Sequence, residues 1–118
     1  MADDFDGDVA RPRELVGPCL LLLLAEAPGH GYQLMERLRP LGFDWNGPGP
    51  IYRELRHLEE AGLVTSAWSV GRTGPGRRVY EITAAGRASL DRAVTGVDGL
   101  QSLVDEYLVR FRRLASKR

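Results

Sequence analysis

The polar face of one predicted helix carries side chains that can bind a phosphate group or the edge of a base. The segment GPGPIYRELRHLEEAGLV has a helical period from about residue 49 to 61. At about 100° per residue, Ile51, Leu55 and Leu58 form one tight apolar face. The opposite face carries Tyr52, Arg53, Arg56 and His57. Arginine can pair with O6 and N7 of guanine, and tyrosine and histidine can reach a phosphate or a base edge.

The same face also fits an ordinary solvated helix surface, because charged helix faces are common. On that alternative, Glu54 and Glu60 are local ion partners of Arg53 and Arg56. The residues alone leave both interpretations open.

A second cationic cluster lies in a predicted β hairpin downstream of this helix. Two β segments, LVTSAWSV and RRVYEIT, are joined by the glycine-rich connection GRTGPG. Strand alternation predicts inner faces for two pairs of residues, Trp68 with Val70 and Tyr80 with Ile82. The connection and the residue pair after it supply three arginines: Arg72, Arg77 and Arg78. On DNA, such a hairpin would contact the backbone or enter the minor groove, which adds affinity with little sequence information.

Two further helices precede these elements. The first, from about Arg13 to Ala27, is apolar over much of its circumference, so we expect burial on more than one side and a partner chain against Leu20 and Leu23. The second spans about residues 31 to 40 and ends at Pro40 and Gly42. Its predicted inner stripe is Leu34, Met35, Leu38 and Leu41.

The C-terminal part is predicted to be helical from Thr83, a plausible N-cap. Apolar residues recur at spacings of three and four, which is a heptad seam typical of helix pairing. The seam comprises Leu90, Ala93, Val97, Leu100, Val104, Tyr107, Phe111 and Leu114. Gly96 and Gly99 each cost about 1 kcal/mol relative to alanine, so a kink or a break is expected between them. The seam would serve either a dimer or the core of the single chain.

The net charge is zero, but the charges are segregated along the chain. Residues 1–8 hold four of the sixteen acidic groups and no basic ones, and residues 11–118 carry 16 basic minus 12 acidic groups, or +4. We expect residues 1–12 to form a flexible acidic arm that competes with DNA for the basic hairpin. Zero net charge also supports an alternative in which the module binds a protein rather than DNA.

Several other chemistries are not predicted. One cysteine and two separated histidines cannot supply the usual ligands of a zinc site, and the glycine-rich connection lacks the lysine and helix of a phosphate-binding loop. The serines lack a nucleophile-elbow motif. We therefore expect no enzyme, no cofactor and no metal. The apolar run GPCLLLLLA is too short to cross a membrane, and Cys19 has no partner for a disulfide, so a cytoplasmic protein is expected.

Three segments together carry a family resemblance: HGYQLMERLR, PIYRELRHLEEAGLV and GPGRRVYEITAAGRASL. Over residues 15–92 they resemble the PadR family of transcriptional regulators. The resemblance implies a mainly α (α+β) fold, a winged helix-turn-helix over residues 13–83, and a C-terminal dimerisation helix over residues 84–118, as in the small C-terminal subgroup. It also implies a homodimeric repressor that binds double-stranded DNA at an inverted repeat.

By this resemblance the third helix is the recognition helix and the hairpin is the wing. The implied DNA contacts are Tyr32, Gly49, Pro50, Tyr52, Arg53, Arg56, His57, Arg72, Arg77 and Arg78, and the implied dimer contacts are Leu20, Leu23, Leu100, Val104, Tyr107, Phe111 and Leu114. The family usually has a serine or threonine where this chain has Gly47 and Pro50. Relatives can bind planar aromatic effectors at the dimer centre, so Trp45, Trp68, Tyr107 and Phe111 are pocket candidates, with core packing as the alternative.

Overall fold

The computed structural model describes residues 13–70 and 76–117, which form a mainly helical fold with a small antiparallel sheet. The helices are α1 (Val16–Glu26), α2 (Gly31–Leu38), α3 (Gly49–Glu60) and α4 (Ala84–Ala115), with short 3-10 helices at Arg13–Leu15 and Arg39–Leu41. The strands are β1 (Gly29–His30), β2 (Val64–Ser69) and β3 (Arg77–Ile82). This order confirms the predicted winged helix-turn-helix class. The predicted acidic arm and Arg72 lie outside the described residues.

The core surrounds α1, which packs against α2, α3, α4 and β3. The side chains with essentially no exposed surface are Leu20, Leu24, Leu34, Leu38, Ile51 and Leu55. The predicted burial of α1 on several sides is therefore satisfied within one chain. This corrects the assignment of Leu20 and Leu23 to a dimer interface, because these residues are 0% and 7% exposed in the single chain. Leu22, which is 42% exposed, is the leucine of α1 that faces outward.

Helix α2 has a defined start and a short end. His30 is its N-cap, with a reciprocal pair of contacts in which Gln33 N–H donates to the His30 ring and His30 N–H donates to the Gln33 side chain. The helix ends at Leu38, and a 3-10 turn carries the chain through Pro40. Leu41 belongs to this turn and is 38% exposed, so its prediction as part of the inner stripe is wrong.

Helix α3 begins as the two prolines predict. Pro48 is the N-cap residue and its carbonyl accepts the first helical hydrogen bond, from Tyr52 N–H, at 3.0 Å. Pro50 is the second helical residue, where an N–H would have no intrahelical partner. Ile51, Leu55 and Leu58 are all buried, which confirms the predicted apolar face.

The sheet has the order β1-β3-β2, with both pairs antiparallel. Val64 pairs with Ile82 and Trp68 pairs with Arg78. Trp68 therefore shares a face with the buried Val64, as alternation requires. Trp68 is nevertheless 65% exposed and Val70 is 81% exposed, so their predicted core positions are wrong. In β2 only the first residue, Val64, is buried, so the cover over this face does not extend along the strand. The two-residue strand β1 was not predicted, because its period cannot be recognised over so short a span.

Helix α4 runs without interruption from Ala84 to Ala115, so the predicted break near Gly96 and Gly99 is wrong. A cost of about 1 kcal/mol for each glycine is small beside the cooperativity of a long helix. Thr83 is its N-cap, and the Thr83 hydroxyl accepts from Gly86 N–H at 3.0 Å, as predicted. Within residues 13–70 and 76–117, no helix combines the length and apolar content needed to cross a membrane.

Candidate nucleic-acid interface

The α3 side chain Tyr52 lies directly on the first turn of α2. A Cβ atom at Gly31 would overlap the far end of the Tyr52 ring, so this close approach requires glycine at position 31. Tyr52 is 41% exposed and Tyr32, on the same side, is 54% exposed. Both side chains line one cavity, so two phenol groups are exposed on the same surface.

A cavity of about 660 Å³ lies between α3, the start of α2 and the hairpin. Five of the predicted DNA-contact residues line it: Tyr32, Tyr52, Arg56, Arg77 and Arg78. The structure thus brings together residues that are as many as 46 positions apart in the sequence, from 32 to 78. Four further lining residues carry contacts that the sequence did not assign to this surface: His30, Glu59, Trp68 and Tyr80.

A chain of hydrogen bonds joins the hairpin to α3. Arg78 Nη1 donates to Ser66 Oγ at 3.0 Å, and Ser66 Oγ donates to Glu59 Oε2 at 2.7 Å. The Arg78 guanidinium also lies over the Trp68 ring, 5.3 Å from its centroid, in a cation–π contact. The strand register pairs Ser66 with Tyr80 and Trp68 with Arg78. The sequence does not specify this register, so it did not predict these pairs.

His30 connects the hairpin to the start of α2. Its Nε2 atom lies 2.9 Å from Arg77 Nη1, and its Nδ1 atom lies 3.3 Å from the backbone nitrogen of Gln33. A neutral imidazole has a single acceptor nitrogen, so these two donors compete for it, and protonation removes the acceptor altogether. Desolvation, followed by the positive charges of Arg77 and Arg37, lowers the pKa of His30. Sequence reasoning had assigned this histidine no role.

The other side of α3 forms a second and smaller cavity, of about 290 Å³. Pro50, Arg53 and His57 line it, together with Arg13 and Trp45. Gly49, at the start of the helix, is exposed. The predicted contact residues of α3 therefore lie on two sides of the helix. Tyr52 and Arg56 face the wing. Pro50, Arg53 and His57 face Arg13, which precedes α1.

The arginines of α3 are not paired with the acidic residues of the same helix. Among the described residues, ion pairs are formed by Arg39 with Glu36 and by Arg110 with Glu106. Glu59 instead accepts from Ser66. Over residues 13–70 and 76–117, no group of three or more potential metal ligands is found.

The sequence model of the transcriptional regulator PadR-like family matches residues 20–92, which is more than half of the chain. This chain belongs to the PadR-like family. The family is one of transcriptional regulators rather than enzymes, which confirms the expectation of no enzymatic function.

Individual relatives agree with this family membership. A Mycobacterium tuberculosis protein named "Probable transcriptional regulator Rv1176c" is 35% identical over 75 residues, covering 62% of this chain and 40% of the relative. This chain therefore matches about two fifths of that protein's length. A crystal structure described as a conserved protein of unknown function and a potential transcriptional factor superposes with a TM-score of 0.73 at 31% identity, covering 92% of this chain and 99% of that one.

A Bacillus subtilis PadR solved in complex with operator DNA shares the fold at lower similarity. Its TM-score is 0.60 at 24% identity, covering 68% of this chain and 46% of that one. The fold of this PadR-like chain is thus one that another protein presents to DNA.

The aromatic residues considered as an effector pocket do not meet in this PadR-like chain. Trp45 stacks on Phe43, with ring centroids 5.5 Å apart and planes 12° apart. Trp68 lies on the hairpin, while Tyr107 and Phe111 lie in the distal half of α4 and are 68% and 49% exposed. These positions describe a single chain, so an aromatic effector pocket at the centre of a dimer stays a prediction.

Proposed function

We propose that this chain is a sequence-specific DNA-binding transcriptional regulator that acts as a homodimeric repressor on an inverted-repeat operator. The observation that carries the proposal is a continuous cationic and phenolic surface formed by α3, the start of α2 and the wing. The likeness in fold to a PadR solved with operator DNA supports the same use of this surface.

In this proposal α3 enters the major groove with its exposed face. Ile51, Leu55 and Leu58 hold the opposite face in the core, which fixes the direction in which the polar residues point. Arg53 and Arg56 read base edges, because a guanidinium can pair with O6 and N7 of guanine. Tyr52, held on Gly31, contacts phosphate or a base edge beside them.

The wing supplies backbone contacts. Arg77 and Arg78 follow the sugar-phosphate chain, which adds affinity that is nearly independent of sequence. Their anchoring differs, because Arg78 is tied to α3 through Ser66 whereas Arg77 contacts His30 at the start of α2. Tyr32, also at the start of α2, lies where it can contact a phosphate between the helix and the wing.

Dimerisation would cover the exposed apolar surface of α4. Leu100, Val104, Tyr107, Phe111 and Leu114 are between 39% and 68% exposed in the single chain. They repeat at heptad spacing along one long helix, which is the pattern of a helix that packs against another helix. A second copy of the chain satisfies this pattern, and two symmetric recognition helices would then read half-sites about 34–36 Å apart.

Relief by a small effector has one supporting feature. An open apolar groove of about 310 Å³ lies between α1 and α4, and its lining includes Leu15, Cys19, Leu22, Leu90 and Val97. Apolar grooves of this size accept small aromatic molecules. Leu90, Ala93 and Val97 of the α4 seam line this groove, so in the proposed dimer a bound molecule can alter the separation of the two recognition helices.

Selection of bound sequences from a random DNA pool tests the proposal directly. We expect an enriched inverted repeat whose affinity for the protein falls steeply with salt concentration, because lysine and arginine contacts release counterions. Absent binding, or binding that is insensitive to salt, would contradict the proposal. It would favour the alternative of a winged-helix module that binds a protein.

A further inference from the structure

We propose that the acidic segment at residues 1–8 docks on the outward side of α3, over Arg53 and His57, and acts as an intramolecular competitor of DNA. The competition with DNA rests on the proposed function. The docking itself does not, since it concerns two parts of the same chain.

The first argument for docking is the position of Arg13, the first described residue. Arg13 lines the same cavity as Arg53 and His57, so the first described residue lies beside α3. Asp8 precedes Arg13 by five residues, which can span at most about 17 Å. The acidic segment is therefore tethered within reach of α3, and this tether makes even a weak contact effective by raising its local concentration.

Charge supplies the second step. Residues 1–8 contain Asp3, Asp4, Asp6 and Asp8 and no basic residue. Arg53 and His57 are exposed on α3, and the ion pairs found among the described residues leave α3 out. Glu54 shares the cavity, but its carboxylate is directed at Gly17 of α1, 3.2 Å from where a Cβ atom would stand. The surface next to the tether is thus cationic, and the tethered segment is anionic.

The shape and polarity of the cavity supply the third step. Besides its cations, the cavity exposes apolar surface from Val16, Trp45 and Pro50. The acidic segment carries one aromatic residue, Phe5, between Asp4 and Asp6. A segment with an aromatic side chain flanked by carboxylates matches a cavity of about 290 Å³ whose lining combines apolar residues with arginines.

The residues that line the two cavities favour α3 over the wing as the docking surface. Among the described residues, Arg13 lines the cavity of Arg53 and His57 and does not line the cavity of Arg77 and Arg78. The sequence alone had favoured the basic hairpin as the target, because both segments stood out by charge. The structure places the start of the described chain beside α3 instead.

Zero-length carbodiimide cross-linking of the full chain without DNA tests the docking. The sequence contains one lysine, Lys117, so Arg53→Lys introduces a second amine at the proposed contact. The reagent activates an aspartate carboxylate, the lysine amine attacks it, and an amide forms with loss of the activating group as a urea. Arg77→Lys places the same amine on the wing, and Lys117, two residues after the end of α4, is an internal control.

We expect peptide mass spectrometry to find residues 1–8 joined to position 53 within single chains, at several times the yield seen for position 77 or Lys117. Equal yields at all three positions, a preference for the wing, or links found only between two chains would overturn the proposal.

DNA affinity tests the competition separately. Replacing the four aspartates by asparagine should tighten binding about fivefold near 50 mM salt, with the difference fading near 500 mM as the charges are screened. The matched aspartate-to-glutamate variant keeps the charge and should bind like the unchanged chain. Equal affinities for all three proteins would refute the competition while leaving DNA binding intact. If none of them binds DNA, the proposed function fails, and the cross-links still decide the docking.

Discussion

Ser66 Oγ donates a 2.7 Å hydrogen bond to Glu59 Oε2, and this contact joins strand β2 of the wing to helix α3. The same hydroxyl accepts from Arg78 Nη1 at 3.0 Å, so a single serine lies between an acidic residue of α3 and a basic residue of β3. Since Arg78 is proposed to contact the DNA backbone, we expect the hydroxyl to position the wing relative to α3, the proposed recognition helix.

Ser66→Ala should therefore weaken DNA binding more than it weakens the fold. These hydrogen bonds are exposed, so we expect a loss of no more than about 1 kcal/mol in the free energy of unfolding. DNA affinity should fall severalfold, because Arg78 and Glu59 lose their common partner. Ser69→Ala, in the same strand, is the matched control and should change neither quantity. Equal losses of affinity in both variants would show that the hydroxyl of Ser66 has no positioning role.

The stability of the protein should depend on the protonation of His30. Its pKa is lowered in the folded chain, so between that pKa and the unfolded value of about 6.5 the unfolded state binds more protons. The contribution is fully present above about pH 6.5 and is lost as the pH falls through the folded pKa.

Asparagine is also a good N-cap but does not titrate, so His30→Asn should flatten the decline in the free energy of unfolding between pH 7.5 and 5.5. Ser69→Asn, at an exposed position of β2 that does not titrate, is the control and should leave the decline as it is. Denaturant titrations across this pH range provide the measurement. A decline of the same steepness in His30→Asn would exclude this histidine as its source.

Two glycine-to-alanine substitutions should separate function from stability. At Gly31 the added methyl group meets the far end of the partly exposed Tyr52 side chain, which can move away. At Gly86 it meets the backbone carbonyl of Leu63, which cannot. Gly86→Ala should cost about 2 kcal/mol in the free energy of unfolding. Gly31→Ala should cost little, yet should lower DNA affinity as much as Tyr52→Ala does.

Combining the two substitutions at the Tyr52 contact checks this interpretation. With Tyr52→Ala in place, adding Gly31→Ala should produce no further loss of affinity, because the displaced ring is already absent. Additive losses would mean that Gly31 affects DNA binding by another route.

Substitutions in α3 and in the wing should change DNA binding in different ways. Arg53→Ala should relax preference at particular base pairs and cost about 1–3 kcal/mol on the preferred sequence. Arg77→Ala should weaken all sequences alike and reduce the salt slope by about 1. Competition binding with single-base variants of a selected site, at two salt concentrations, distinguishes the two patterns. Identical patterns would contradict the assigned division of roles.

The seam of α4 should be needed for dimerisation and dispensable for the fold of one chain. Leu100 and Val104 are 39% and 53% exposed, so an aspartate at either position meets solvent in a monomer but would be buried between two helices. Val104→Asp should yield a folded monomer by sedimentation, and Ser102→Asp, at a position outside the seam, should remain dimeric. If Val104→Asp remains a dimer, the interface lies elsewhere.

The local elements of this protein follow from sequence periods and caps. The buried stripe of α3, its proline entry and the Thr83 cap depend on residues that are near each other in the chain, where spacing alone predicts which face is apolar. Burial was harder to predict. The sequence predicts contacts with a partner chain for Leu20 and Leu23, which are buried within the single chain. Hydrophobic periodicity shows that a helix has an apolar surface. It does not show whether that surface packs against the same chain or another one.

Trp68 shows where sequence information ends. Its strand parity was correctly predicted, but its exposure depends on how far the cover over this face extends along the strand. The contacts that assemble the candidate site also depend on the tertiary structure. Gly31 meets Tyr52, His30 meets Arg77, and Ser66 meets Glu59 across separate elements. The sequence by itself determined the fold class, the family and the polar face of α3. Only the tertiary structure decided which of these side chains meet, because contacts between distant segments depend on packing rather than on spacing along the chain.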